Sequence, residues 1–288
     1  KLMLPVVLGL SLPGVYGIIM RWFGSFYEAG INVALNQGNQ LMQAPLGIFG
    51  QSLAIAAFPA LSQFFAQGRA DLYREQLENT LRTVVYLTVP VMAVMLVLAG
   101  DVVTVLFQYG KFTGADTAVV APVVQMFAIG VAAWCLHPVL MRAFFARQNS
   151  WTPILIGTLT TALFIALCAL LRTTELGYLA LPLAGSLSAY ALVAALLIAL
   201  RAQMKGLDVA QLVATFAKCV VAGGAMAALL AVGDWALPQG EGPLSNFWAL
   251  IRLVGLGLLG AWLYYGMTRA MKMSETRYIE RALSRLAR

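Results

Sequence analysis

At 288 residues the chain is 61% hydrophobic and only 11% charged, against the roughly 25% charged residues of an ordinary soluble domain. A mean hydropathy of +0.82 excludes a soluble fold. The net charge of +7 therefore has to be read along a membrane protein, where it calls for no nucleic-acid partner.

A hydrocarbon core about 30 Å thick asks for about 20 apolar residues per helical crossing. The chain enters its first uncharged run at once, Leu2 to Met20, with neither an initiator methionine nor a signal peptide, and so reads as a piece of something longer. The second run, Ala29 to Gly68, is much longer than a bilayer is thick at about 1.5 Å per residue. It must bend, tilt or project, and Pro45 and Pro59 are the places to kink it. Asp71 to Arg82 predicts a polar helix outside the membrane, with Glu78 four residues before Arg82. The third run is Thr83 to Gly100, after which Asp101 is placed to cap a short amphipathic segment, Val102 to Tyr109. Thr113-Gly114-Ala115-Asp116 resembles a capping box opening the fourth run, Thr117 to Met141. Thr152-Pro153 supplies an N-cap and a first-turn proline for the fifth, Gln148 to Leu171. Leu176 to Leu200 is the sixth; Val209 to Val232 and Leu244 to Thr268 follow, interrupted only by Lys218 and Arg252. The expectation is an all-α polytopic membrane protein with eight transmembrane helices.

Eight crossings put both ends on one side. The ends and the even-numbered connections carry 14 of the 19 basic residues, whereas Arg21, Lys111 and Arg172 stand on the other side. By the positive-inside rule both ends of the chain are expected in the cytoplasm. In the tail, Arg277, Arg281, Arg285 and Arg288 repeat at helical spacing, which suits either an amphipathic helix on anionic lipid or a solvated end.

Chemistry-bearing clusters are missing from the sequence. Cys135, Cys168 and Cys219 lie in apolar runs without ligand spacing and read as buried thiols. No catalytic triad, metal motif or phosphate loop is present, so neither an enzyme nor a cofactor is expected. His137 precedes Pro138 and reads as a packed, hydrogen-bonded histidine rather than a proton relay. Lys218 and Arg252 can snorkel from near the span ends or line a groove. Gly223, Gly224, Gly255, Gly257 and Gly260 are expected to be close-packing points.

The second run carries the functional signal. At 100° per residue Asn32, Asn36, Asn39, Gln40, Gln43, Gly47, Gly50 and Gln51 share one arc, with Leu35, Leu41, Leu46, Phe49 and Leu53 outside it. Unpaired amides in hydrocarbon cost several kcal/mol, so the stripe faces protein or water. Interhelical hydrogen bonding is one use for it. A hydrated path for a polar cargo is the other, favoured by the number of amides.

Leu41-Met42-Gln43-Ala44-Pro45-Leu46-Gly47-Ile48-Phe49-Gly50-Gln51, running on to Phe58-Pro59-Ala60-Leu61-Ser62, resembles the signature of the MurJ (MviN) lipid II flippases, within the multidrug/oligosaccharidyl-lipid/polysaccharide exporter superfamily. Leu106 to Thr113 with Asp116-Thr117, and Arg142 to Arg147 through Thr152-Pro153, agree in order and spacing. The resemblance implies a fourteen-helix alternating-access transporter of the bacterial cytoplasmic membrane. This chain would represent its second six-helix lobe (1–204), a C-terminal helix pair (205–272) and a basic tail (273–288), with the N-terminal lobe and a lipid-linked cell-wall precursor as partners. In that family cavity arginines are thought to hold the diphosphate of the cargo, and the extra pair forms a groove for its lipid tail. One such arginine usually stands where this chain has Gln40. That departure leaves a flippase for another lipid-linked oligosaccharide, or a non-transporting scaffold, as alternatives. Arg142 matches the family's Arg-Ala-Phe motif, with a topological role or cargo contact both open.

Overall fold

The computed structural model describes residues 15–204, 206, 208–237 and 245–276. Most of the first expected crossing, and the tail arginines from Arg277 onward, lie outside the described residues. Among the described residues every regular element is a helix: α1 (residues 15–24), α2 (Ile31–Pro45), a π-helical turn (Leu46–Gln51), α3 (Ser52–Ala66), α4 (Ala70–Val97), α5 (Ala99–Phe107), α6 (Gly114–Ala146), α7 (Trp151–Leu171), a 3-10 turn (Gly177–Leu179), α8 (Ala180–Gln203), α9 (Val209–Ala236) and α10 (Ser245–Ala270). Seven stretches are long and apolar enough to cross a membrane, with α2 through α3 counted as one. The described end of the first expected run is helical as well.

α6 is the hub, packing against α2, α3, α4, α5 and α8, while α7 lies on α8. Its buried face carries Val123, Val124, Phe127, Leu140 and Phe144, all without solvent exposure. Small residues bring the neighbours close: a Cβ on Gly130 would stand 2.8 Å from the Ser186 Cα on α8, and the Ser186 hydroxyl donates to the Met126 carbonyl at 2.7 Å. Close backbone approach of this kind holds helices together where lipid is as apolar as the side chains. α9 and α10 pack on each other, α9 against α4 and α10 against α5.

Loop contacts fix the two ends of the bundle. At the end where α1 turns into α2, the Tyr27 hydroxyl donates to the Gly177 carbonyl at 3.1 Å, and Asn246 Nδ2 to the Gln108 carbonyl at 2.9 Å. At the opposite end Arg147 Nη2 donates to the Gln203 carbonyl at 3.3 Å, and the Asp208 amide to Glu78 at 2.9 Å. Gly30, with φ of 101°, makes the turn into α2 that a side chain would strain.

Several local expectations change. Asp71 to Arg82 is the first part of α4 rather than a separate helix. Its Arg82 lies 3.9 Å from Glu78 and 3.9 Å from the buried Glu275 beyond α10. The long second run passes through a π-helical turn directly after Pro45, a rare interruption within α-helix. α5 begins at Ala99, so Asp101 sits inside its first turn and caps nothing. The capping box at Thr113 is present: its amide and hydroxyl both donate to Asp116, at 2.7 and 2.8 Å. α7 starts at Trp151, which makes Pro153 its third residue. The Asn149 carboxamide takes the capping role, accepting the Thr152 amide at 3.2 Å. Of the five glycines expected at close contacts, Gly223 meets Val89 and Gly260 meets Met226, whereas Gly224, Gly255 and Gly257 face open space.

Candidate functional site

α1, α2, α6, α7 and α8 surround a cavity of about 480 Å³. α2 supplies its polar wall. Asn32, Asn36, Asn39 and Gln43, with Gln51 of the π-helical turn, all line it. Ala34, Gly38 and Leu41 are packed into the bundle, which is how an amphipathic helix seats its apolar stripe. Leu35, outside the amide arc, is buried yet closes one edge of the cavity. Gln40 is exposed on α2 and is not part of the cavity wall. Along the stripe Gln43 Nε2 donates to Asn39 Oδ1 at 3.3 Å, a same-face pair at the i, i+4 spacing.

Facing the amides are aromatic rings and hydroxyls. The Tyr16 ring stacks on Phe164 at 4.5 Å and meets Trp134 edge-on at 5.5 Å. The Tyr16 hydroxyl occupies the space left by the missing Cβ of Gly185. Thr160 and Thr161 line the α7 side, their hydroxyls donating to helix carbonyls four residues back at 2.8 and 2.9 Å. Their lone pairs remain as acceptors. Three buried polar atoms of cavity-lining residues have no partner among the described residues: Tyr16 Oη and Trp134 Nε1 on this side and Asn32 Oδ1 on α2. Such groups cost about 1–3 kcal/mol each when nothing replaces water. His137 also lines the cavity, half-buried on α6.

Arg21 is the one charged side chain in the lining among the described residues, exposed near the end of α1. It marks only topology when the charges are counted along the sequence. Its place beside Gly17 and Met20 at helical spacing is the signal that could have found it, and Trp134 had none. Of the other basic candidates, Arg142 is half-buried on α6 and Lys218 exposed on α9, both away from the cavity.

Arg252 neither snorkels nor lines this cavity. It is buried on α10, hydrogen-bonded through Nη2 to Asp101 of α5, with Nη1 at 3.7 Å from Asp234 of α9. Burial pushes the Asp101 carboxyl above its ordinary range, while the Arg252 charge pulls it back down. The cluster ties α10 to α5 and α9 by charge. No group of three His, Cys, Asp or Glu residues that could hold a metal ion occurs among the described residues.

The sequence profile of the family described as lipid II flippase MurJ matches residues 1–245. A probable lipid II flippase MurJ of Vibrio cholerae is 29% identical over 66% of this chain and 36% of its own length. One from Thermotoga maritima is 31% identical over 57% of this chain and 33% of its own length. One from Bdellovibrio bacteriovorus is 23% identical over 97% of this chain and 53% of its own length. A solved structure, a lipid II flippase MurJ in an inward closed conformation, superposes with a TM-score of 0.77 at 19% identity, over 94% of this chain and 54% of that one. The chain thus spans about half the length of relatives that it matches almost from end to end. With a match across 1–245 and a helical bundle of the same fold, the chain belongs to the MurJ family of lipid II flippases.

Proposed function

We propose that this chain forms the second lobe (1–204) and C-terminal helix pair (205–272) of a flippase that carries lipid II across the bacterial cytoplasmic membrane by alternating access. The single observation that carries the reading is a cavity of about 480 Å³ walled by five amides inside a bundle of membrane-length helices. Amides in that position hydrogen-bond a polar head group without leaving unpaired charge in hydrocarbon. Asn32, Asn36, Asn39, Gln43 and Gln51 form the cargo path on this reading, with Gln40 beside it facing the N-terminal lobe. Both ends of the chain lie at the cytoplasmic face, where the basic connections collect, and the arginines from Arg277 onward are drawn to anionic lipid. Translocation needs no bond to be made or broken.

Complementation tests the proposal. The complete gene should restore growth and lipid II translocation in a bacterium depleted of its own flippase. Failure to do so, with the protein present in the membrane, overturns lipid II as the cargo. A second reading, a flippase for another lipid-linked oligosaccharide, rests on one observation: Gln40 stands where the family usually has a cavity arginine. Translocation of a different glycolipid by the same cells would favour it.

A further inference from the structure

Away from the cavity, Arg252 of α10 stands between carboxylates on two other helices. Its Nη2 donates to Asp101 of α5, and its Nη1 lies 3.7 Å from Asp234 of α9, beyond hydrogen-bonding distance. Asp101 is the single charged residue of α5, and Asp234 and Arg252 are the single charges in residues 221–236 and 245–260. The contact is incomplete on both sides. An arginine–carboxylate pair is strongest as a fork of two parallel N–H···O bonds. Here one bond is made, while Asp101 Oδ2 and Arg252 Nε and Nη1 are buried with no hydrogen-bond partner among the described residues. Idle buried groups are costly, and the Asp234 side chain, 34% exposed, offers Nη1 an acceptor. One guanidinium therefore has two fuller arrangements within reach: a fork on Asp101, or a bond to Asp234.

The surrounding packing decides what moves when Arg252 changes partner. α9 and α10 interlock: a Cβ on Gly233 would stand 2.4 Å from Leu256 Cδ2, and one on Gly260 3.0 Å from the Met226 side chain. Near its other end α10 is bonded to α4, through the Tyr264 hydroxyl to the Tyr86 carbonyl at 2.9 Å and through Thr268 to the Tyr86 hydroxyl at 3.3 Å. The seam between α10 and α5 has the Arg252–Asp101 bond, with the Asn246 bond to the Gln108 carbonyl just beyond it. Passing Arg252 from Asp101 to Asp234 thus frees α10 from α5 and leaves it joined to α9 and α4.

We infer that Arg252 is a two-position latch. Held by Asp101 it closes the seam between α5 and α10; held by Asp234 it opens that seam, and the joined α9–α10 pair swings on its contacts with α4. Discrete alternative pairings of this kind are how packed helices switch between arrangements. Asp234 is then a positioning residue, although it makes no hydrogen bond among the described residues through its side chain. The part of the latch in translocation rests on the flippase reading, whereas the latch itself does not.

Spin labels test it. Leu106 near the end of α5 and Phe247 near the start of α10 are each more than half exposed. Leu106→Cys and Phe247→Cys are introduced together into the full-length protein, any other thiol that labels is removed, and dipolar broadening between the two nitroxides is read in lipid vesicles. The parent should show two separations. Asp234→Asn should deplete the longer one about tenfold, inside the roughly 5–150-fold span of ordinary conformational couplings, and Asp234→Glu should restore it. Asp101→Asn should show mainly the longer separation; if that variant does not fold, the Asp234 pair carries the test. Asp234→Asn should unfold at nearly the parent temperature and translocate lipid II several-fold more slowly. A single separation shared by the parent and Asp234→Asn overturns the latch. So does a loss of stability in Asp234→Asn as large as that in Arg252→Gln, the mark of a fixed ion cluster. Two separations with unchanged translocation keep the latch and remove its part in transport. Two separations in a protein that fails to complement keep the latch and remove lipid II.

Discussion

Gly50 of the π-helical turn lies against Cys135 of α6 so closely that a Cβ at Gly50 would stand 2.9 Å from the Cys135 Cα. The Pro45 carbonyl accepts the Cys135 thiol at 3.5 Å in the same contact. This is where the π-helical turn is fastened to the hub. Gly50→Ala should destabilise the protein by about 1–3 kcal/mol, the usual range for overpacking. Gly47→Ala, with nothing within 4 Å of its Cβ position, should be neutral or slightly stabilising. Thermal unfolding of both variants in detergent separates them.

The buried Arg252 gives a second expectation. Removing one partner of a buried ion pair typically costs about 3–5 kcal/mol, because the other charge is stranded. Asp101→Asn or Arg252→Gln should each destabilise strongly. The double variant Asp101→Leu with Arg252→Met should recover much of the loss, since well-packed apolar replacements of a buried pair are often neutral. A double-mutant cycle on unfolding free energies measures the coupling, and additivity of the two single losses would contradict the pairing.

Solution access follows from the walls of the cavity. Cysteines at Asn36, Gln43 and Gln51 should react with a membrane-impermeant thiol reagent. A cysteine at Leu159, exposed on α7 on the side turned from Gly157 and Thr161, should face lipid and react slowly. Faster labelling at Leu159 than at Gln43 would contradict a hydrated amide wall.

The Tyr264 hydroxyl of α10 donates to the Tyr86 carbonyl of α4 at 2.9 Å, and Tyr86 is hydrogen-bonded to Thr268 at 3.3 Å. Interhelical hydrogen bonds in membranes are modest, about 0.6 kcal/mol on average and at most about 1.7. Tyr264→Phe should cost that little in unfolding free energy. A loss above about 2 kcal/mol would mean that the hydroxyl supports more than this link.

The apolar runs and most of the amide stripe were legible in the sequence: lipid demands long apolar stretches, and a helix face repeats every three or four residues. The capping box was legible because its two residues are near neighbours in sequence. What could not be read depends on partners far apart. Asp101 looked like a cap because the sequence does not show Arg252, which comes 151 residues later. Trp134 and Phe164 lie in uniformly apolar runs, where no periodicity singles out the ring that meets the cavity. The π-helical turn was anticipated only as a kink at Pro45 or Pro59, and its contact with Cys135 of α6 is again a partner far along the chain. Arg21 was counted as a marker of sidedness, and its position at the cavity emerged only once α1 and α2 were folded against each other.

Cys135, Cys168 and Cys219 have no solvent exposure and no disulfide partners. Only a thiolate in contact with water reacts quickly with an alkylating reagent. Within residues 1–288 the native thiols therefore form a silent background: introduced cysteines can be read without first removing those three, two of which, Cys135 and Cys219, sit in helix contacts with Pro45 and Tyr264 that substitution would disturb.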